Sequence, residues 1–419
     1  MSQFVAEMTC VTCGKSLGPT ETRMTCPSCG PHEGILDICY DLDRVKAAQR
    51  VEPLGARPLT HWRYRELLPV AHEYIPHDWP VGWTPIVDAK RLAAELGISQ
   101  LFFKDEGRNP TASFKDRASS VGVAHAIQRG MKTIGCASTG NAATSLAGHA
   151  ALAGLPAVIF VPQTAPEPKL AQLLVYGATV VAIDGTYDEA YRLCSQACDR
   201  FGWYNRNCAI NPVLVEGKKT AGLEIAEQCA ELGGVPDWVA VSIGDGCTIA
   251  GIWKGLFEMH MLGVIDRLPR LLGVQAAQVA PVHHALQHGA LPEPGQGRTI
   301  ADSIDVQVPR NWRKAVRALR ESNGVTVCVS DQQILHAIRV AGQHGMFAEP
   351  AAAAALAGVL SSVDASTIRP QERILVMVTG SGLKDTRSAV RAGGEPIRIE
   401  PDLDVLANAL AARQNDQGR

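Results

Sequence analysis

Asn109-Pro110-Thr111-Ala112-Ser113-Phe114-Lys115-Asp116-Arg117 joins two stretches of opposite character. Before it runs a short apolar segment, Gln100-Leu101-Phe102-Phe103-Lys104, which reads as a strand. After it Ala118–Gln128 carries apolar residues at helical spacing. Strand, loop and helix in that order form the opening unit of an alternating α/β chain. A lysine at the mouth of such a unit has two readings. One is a solvated surface charge. The other is a Schiff-base amine, which condenses with an aldehyde and needs partial burial to lower its pKa.

The alternation continues downstream. Candidate strands are Leu101–Lys104, Thr133–Cys136, Ala157–Val161, Thr179–Ile183, Trp238–Ile243, Leu271–Gln275 and Ile374–Val378. Most are continuous apolar runs, the pattern of a sheet covered by helices on both faces. Ala-rich helical stretches lie between them, notably Asn141–Ala153 and Pro350–Leu360. Upstream, residues 44–84 read as an arm with Pro53, Pro58, Pro69, Pro76 and Pro80, pinned by Trp62, Tyr64, Trp79 and Trp83.

At 419 residues, 46% apolar and 20% charged, the chain can build two or three domains around a large core. A net charge of −2 gives no electrostatic reason to expect nucleic acid or an anionic membrane as partner. No apolar run reaches the roughly 18–20 residues of a membrane span. Met1-Ser2-Gln3-Phe4 lacks the features of a signal peptide, and twelve dispersed cysteines read as reduced thiols, so a cytoplasmic protein is expected.

Four of those cysteines stand apart. Cys10-x-x-Cys13 and Cys26-x-x-Cys29 are separated by twelve residues, and Gly14 and Gly30 follow the pairs where a knuckle must turn. Two such knuckles bring four thiolates within tetrahedral reach of one Zn2+. Four cysteine ligands leave no open position, so the metal would be structural. A nucleic-acid-binding zinc ribbon is the rival class, but Lys15 and Arg23 are followed closely by Asp37, Asp41 and Asp43.

Three loops carry the remaining chemistry. Ser138-Thr139-Gly140-Asn141 follows a strand and opens a helix, where outward N–H groups favour an anion; plain helix capping is the alternative. Gly244-Asp245-Gly246-Cys247-Thr248 repeats that arrangement after Trp238–Ile243, and its glycines let backbone wrap a phosphate or simply make a tight turn. Thr379-Gly380-Ser381-Gly382-Leu383-Lys384-Asp385 follows the last strand, and Phe347-Ala348-Glu349-Pro350-Ala351 opens a helix. His284 and His288 have i,i+4 spacing without the glutamate of a zinc protease, and Cys194 with Cys198 read as core.

Asn109–Arg117 resembles the pyridoxal-phosphate lysine motif of the threonine synthase family, within the wider group of threonine dehydratases and tryptophan synthase β-chains. The other loops resemble that family's motifs in the same order, and similar ribbons precede many of its catalytic domains. The resemblance implies the tryptophan synthase β-like fold: two α/β domains with pyridoxal 5′-phosphate between them. It places a four-cysteine zinc ribbon at residues 1–43 and an arm with the first part of the large domain at 44–120. The small mobile domain would span 121–225, the rest of the large domain 226–405 and a frayed tail 406–419. It makes Lys115 the catalytic, cofactor-bearing lysine. It gives the substrate carboxylate to Ser138, Thr139, Gly140 and Asn141, with Asn141 facing the cofactor's phenolic oxygen. Gly244, Asp245, Gly246, Cys247 and Thr248 would hold the cofactor phosphate, and Thr379 would meet the pyridine nitrogen. A neutral hydroxyl there favours elimination and replacement over transamination. A homodimer acting on a small amino acid is implied as well.

The chain also departs from the family. Asp245 puts a negative charge in the phosphate loop, where it is expected to point away and cap the helix. Ser381 replaces a histidine. Where the family reads the phosphate of O-phosphohomoserine with Asn-Ser-x-Asn-Pro-x-Arg, this chain has Cys208-Ala209-Ile210-Asn211-Pro212-Val213-Leu214, with Lys218 in a glutamine position. Losing a guanidinium removes the preferred bidentate phosphate partner, which Lys218 or Arg298 could replace. Thr299–Ile304 reads more like a dehydratase segment. Two reactions therefore stay open: O-phosphohomoserine to threonine, or β-elimination or β-replacement on another amino acid by an ammonia-lyase-like enzyme.

Overall fold

The protein is described by a computed structural model over residues 1–76, 78–165 and 167–417. Among the described residues thirteen strands form three sheets. Strands β1 (Val5–Cys10), β2 (Ser16–Leu17) and β3 (Leu36–Tyr40) make a small antiparallel sheet in the order β2-β1-β3. The arm follows, and then β4 (Ile86–Asp88) and β5 (Gln100–Asp105). Next come β6 (Ile134–Ala137), β7 (Ala157–Pro162), β8 (Thr179–Ile183) and β9 (Tyr204–Asn205), a parallel sheet ordered β8-β7-β6-β9. The chain then returns to the sheet it left, adding β10 (Trp238–Ser242), β11 (Arg270–Ala276), β12 (Val325–Val329) and β13 (Arg373–Val378).

That six-stranded sheet runs β12-β11-β10-β13-β5-β4 and is parallel except for β4. In chain order β4 to β5 and β10 through β11 to β12 both step toward the β12 edge, and β13 comes last, inserting between β10 and β5. In open α/β sheets ligands bind in the crevice beyond the strands' carboxyl ends. The loops after β5, β10 and β13 all open there, and they carry Lys115, Gly244–Thr248 and Thr379.

The interior strands read as apolar runs because both their faces are covered; every residue of β10 is buried. Beyond the candidate strands, and an exit strand at residues 38–41 that the ribbon resemblance implies, the structure adds β1, β2, β4, β9 and β12. β4 and β9 are too short to show a period, and β12 lies at a sheet edge with Val325–Cys328 only half-buried. The helix after the Lys115 loop starts earlier than expected, spanning Lys115–Gln128. The Pro212–Gln228 helix shares a core with the Cys247–Met261 helix through Leu223, Ile225, Ile249, Ile252 and Leu256, so it lies with the six-stranded sheet. The tail differs from the fraying expected over 406–419: Leu403–Gln417 is helical, with Gly418 and Arg419 outside the described residues.

The N-terminal sheet is fastened to the body by charge. Asp37 on β3 faces Lys254 at 3.2 Å, Lys314 at 3.3 Å and Arg317, while Lys314 Nζ donates to the Leu36 carbonyl at 2.6 Å. Burial would raise the Asp37 pKa, but these three cations hold it well below the usual carboxylate range.

Candidate active site

The residues around Lys115 explain why a loop holds it so firmly. Asp116 accepts from the Thr111 amide at 2.7 Å and the Thr111 hydroxyl at 2.5 Å, closing the loop on itself. Arg117 is fully buried between Glu106 and Glu224, at 2.7 and 2.6 Å, and Lys104 reaches the same Glu224 at 2.9 Å. The loop is stitched to the one after β13 by Phe114 N–H donating to Thr379 O at 2.8 Å and Ser381 N–H to Ala112 O at 3.2 Å. Asp116 and Arg117 are thus anchors, and only Lys115 of the three faces the crevice.

Lys115 lines a cavity of about 120 Å³ with Gly244–Thr248, Thr379, Arg206, Cys208 and Lys218. Burial lowers its pKa to about 8, helped by the Lys218 charge and opposed by Glu349. Opposite stands the start of the Cys247–Met261 helix. Its N-cap is Gly246 at φ +92°, with no side chain capping the first turn. A helix N-terminus left uncapped beside a lysine is suited to an anionic, aldehyde-bearing cofactor. The Thr379 hydroxyl makes no hydrogen bond among the described residues and lines the same cavity. The residues present fit pyridoxal 5′-phosphate.

Three details differ from the sequence reading. Gly246 and Gly244 also answer to packing: besides the positive φ of Gly246, a Cβ there would lie 2.7 Å from Asn311 O, and one on Gly244 2.8 Å from Ser303 O. Asp245 does point away, but it caps nothing. Its carboxylate accepts from the Arg310 amide at 2.8 Å and from Asn311 Nδ2 at 2.9 Å, holding that turn under the loop. Asn141 does not line the Lys115 cavity. Its Nδ2 donates to both oxygens of Glu349 at 2.9 Å, and burial pushes Glu349 up to about 7.

Thr139, Gly140 and Asn141 line a second cavity of about 130 Å³ with Glu349, Asp302 and Lys384; Ser303 borders both cavities. Ser138 lines neither, its Oγ accepting from Gly140 N–H at 3.2 Å. The Glu349 carboxylate, at the start of its helix, makes no cap bond and engages Asn141. Cys247 donates its thiol to Asp245 Oδ2 at 3.0 Å. Arg298 is exposed and paired with Asp305 at 3.2 Å, outside both cavities, whereas Lys218 is inside. Arg206 was not singled out from the sequence, and nothing in Tyr204-Asn205-Arg206-Asn207 marks it. A larger groove of about 1000 Å³ runs between Thr22–Pro27 and the Tyr187–Phe201 helix and contains none of these residues.

In the N-terminal sheet the four Sγ atoms of Cys10, Cys13, Cys26 and Cys29 lie within 4.8 Å of one another. Cys13 and Cys26 are 3.8 Å apart, matching the roughly 3.8 Å edge of a tetrahedron with ~2.3 Å zinc–sulfur bonds. Gly14 and Gly30 both take positive φ, +70° and +72°. The rings of His284 and His288 lie 4.3 Å apart, tilted by 43°, without joining any cluster of metal-ligand type among the described residues.

Residues 79–380 match the family described as "Pyridoxal-phosphate dependent enzyme". A threonine synthase of Methanocaldococcus jannaschii is 39% identical over 406 residues, 96% of this chain and 98% of that one. One of Methanosarcina acetivorans is 38% identical over the same shares, and one of Synechocystis is 38% identical over 83% of this chain and 89% of its own length. Among solved structures, a threonine deaminase of Solanum lycopersicum superposes with a TM-score of 0.66 at 21% identity, covering 90% of this chain and 98% of that one. A diaminopropionate ammonia lyase of Escherichia coli gives 0.64 at 18%, covering 77% and 90%. Those two likenesses are of fold.

Proposed function

The chain belongs to the pyridoxal-phosphate-dependent enzymes, in the threonine synthase family, and from that premise we propose that it converts O-phosphohomoserine and water into threonine and phosphate. The observation that carries the reading is one cavity holding Lys115, the uncapped turn at Gly246–Thr248 and the Thr379 hydroxyl. Pyridoxal 5′-phosphate, when bound, supplies an aldehyde for the substrate amine and a ring that draws electrons from Cα.

Everything else is work for side chains. Lys115 would bear the cofactor, and its Nζ, once released, removes the Cα proton; a pKa of about 8 suits a base near neutral pH. Backbone N–H groups of Thr139–Asn141 orient the substrate carboxylate at the start of their helix. The first turn of the Cys247–Met261 helix would hold the cofactor phosphate, and Thr379 would offer a neutral hydroxyl to the ring nitrogen. Asn141 must leave Glu349 to reach the cofactor, and Glu349, titrating near 7, can then pass a proton within the site. A second proton leaves Cβ and phosphate departs from Cγ; a proton is then returned at Cγ, the hydroxyl of water adds at Cβ, and a proton is returned at Cα.

A second reading has a specific observation behind it. Leu214 replaces the family's arginine, is fully buried and would contact a Cβ placed on Gly122 at 2.6 Å, so it offers the substrate nothing. Ammonia-lyase or replacement chemistry on an unphosphorylated amino acid would need no cation there. A substrate panel separates the two: O-phosphohomoserine, threonine, serine, O-phosphoserine and 2,3-diaminopropionate, with phosphate, ammonia and keto acid assayed. Threonine and phosphate from O-phosphohomoserine support the synthase. Keto acid and ammonia from an unphosphorylated amino acid, with O-phosphohomoserine inert, overturn it.

A structural Zn2+ on Cys10, Cys13, Cys26 and Cys29 and a cytoplasmic homodimer complete the proposal. The cysteine geometry supports the first, and twelve free thiols support a reducing compartment. The dimer rests on the family resemblance, and light scattering tests it.

A further inference from the structure

Eight lysines and arginines are buried among the described residues, and six of them have a carboxylate within 3.3 Å. The other two are Arg206 and Lys218, 1% and 3% exposed, and neither forms an ion pair among the described residues. Both line the Lys115 cavity. A buried cation without a carboxylate partner is costly, and this fold supplies one everywhere else, whereas Lys218 has only the Cys208 thiol. Arg206 is nonetheless held in place: its Nη2 and Nε donate to Ser119 Oγ at 2.8 and 3.3 Å, one helical turn from Lys115.

The acidic groups facing the pair are the Cys208 and Cys247 thiols and Asp245. Asp245 is committed to Arg310 and Asn311. Cys208 is drawn well below the usual thiol range by Cys247, then, against burial, by Lys218 and Arg206, so the field at this wall favours negative charge. The cofactor phosphate has its own cradle in the uncapped turn after Gly246. Lys218 lies one turn beyond Leu214 on the same helix, and Arg206 lies just ahead of that helix. Positive charge is therefore absent at 214 and present on both sides of it.

We propose that Arg206 and Lys218 form an anion subsite that binds the tetrahedral phosphate group of the substrate, separate from the cradle of the cofactor phosphate. The assignment rests on the threonine synthase reading only for the source of that phosphate. A guanidinium and an ammonium together supply the charge-assisted donors that such a leaving group needs as it departs.

The test uses the holoenzyme and inorganic phosphate as probe, titrated calorimetrically. Arg206→Gln and Lys218→Gln should each weaken phosphate binding about 10- to 100-fold. Lys218→Arg should retain most of it, and Lys46→Gln, an exposed site, should change nothing. Cofactor content is measured beside each titration. Unchanged phosphate affinity in both glutamine variants overturns the subsite. Loss of cofactor by the glutamine variants, with Lys218→Arg retaining it, assigns the cations to the cofactor phosphate and overturns it too. Should the variants fold poorly, the wild-type holoenzyme still decides: phosphate should slow alkylation of half-buried Cys208 several-fold and leave Cys328 unaffected, and equal labelling of both with and without phosphate refutes the proposal. Phosphate bound through these residues with O-phosphohomoserine inert would sustain the subsite and remove the synthase reading. Turnover of O-phosphohomoserine with KM unchanged in Lys218→Gln would do the reverse.

Discussion

Lys115 titrates near 8 rather than at the 10.5 of a free lysine because burial disfavours its ammonium and Lys218 repels it. Below pH 8 the amine is charged and unreactive; as pH rises through 8 it becomes a nucleophile. Uptake of pyridoxal phosphate by the apoprotein should therefore speed up through a midpoint near pH 8, followed by absorbance. Lys218→Gln should move that midpoint upward, since the second-largest cause is removed. A midpoint above 10 in the unaltered protein would contradict the buried environment. Borohydride should fix cofactor to a peptide containing Lys115 and no other, and Lys115→Ala should abolish that attachment with the fold intact. This lysine was legible because its anchors, Thr111, Asp116 and Arg117, are its neighbours in sequence. Arg206 and Lys218 were not, since what distinguishes them is the lack of an ion-paired carboxylate, a fact of three dimensions only.

At the scale of elements, the turn from β10 into the Cys247–Met261 helix shows where reading by type works and where it stops. An apolar run followed by Gly-x-Gly and a helix identified a turn able to receive phosphate. It could not reveal that the Arg310–Asn311 turn, more than sixty residues later, sits against Gly246 and is held by Asp245. Gly246→Ala forces φ +92° on a residue with a Cβ and drives that Cβ to 2.7 Å from Asn311 O. Backbone strain alone costs about 1–3 kcal/mol, and relieving the clash displaces the first turn. The variant should melt lower and lose cofactor on gel filtration; one that keeps full cofactor content would show that the turn does not hold the phosphate. Interior strands were readable by the same logic, because burial on both faces leaves continuous apolar runs. Edge strands β4 and β12 lack that signature.

Over the whole molecule, the N-terminal sheet and the active site are linked through two helices. Lys254 belongs to the Cys247–Met261 helix, whose first turn is the proposed phosphate cradle. Lys314 belongs to the Trp312–Glu321 helix, whose N-cap, Asn311, bonds to Asp245. Asp37 on β3 clasps both lysines, so the N-terminal sheet bears on the two elements that shape that turn. Asp37→Ala leaves Lys314, a buried ammonium, without its carboxylate, a change that costs about 3–5 kcal/mol. The variant should retain one zinc per chain, since no ligand is touched, yet bind pyridoxal phosphate several-fold more weakly. Cys13→Ser should lose the metal and weaken cofactor binding in the same direction, because β1 and β3 then lose the knuckles that hold them in register. The pH dependence follows in sign. The Asp37 carboxylate is held well below the ordinary 3.8, so its contribution is fully present above that pH and is lost as pH falls through the lower folded value. Acid melting of the wild type should therefore show a loss of stability below pH 4 that Asp37→Ala lacks. Were both variants to bind cofactor as tightly as the wild type, the ribbon would be an appendage and the clasp at Asp37 only a fastening.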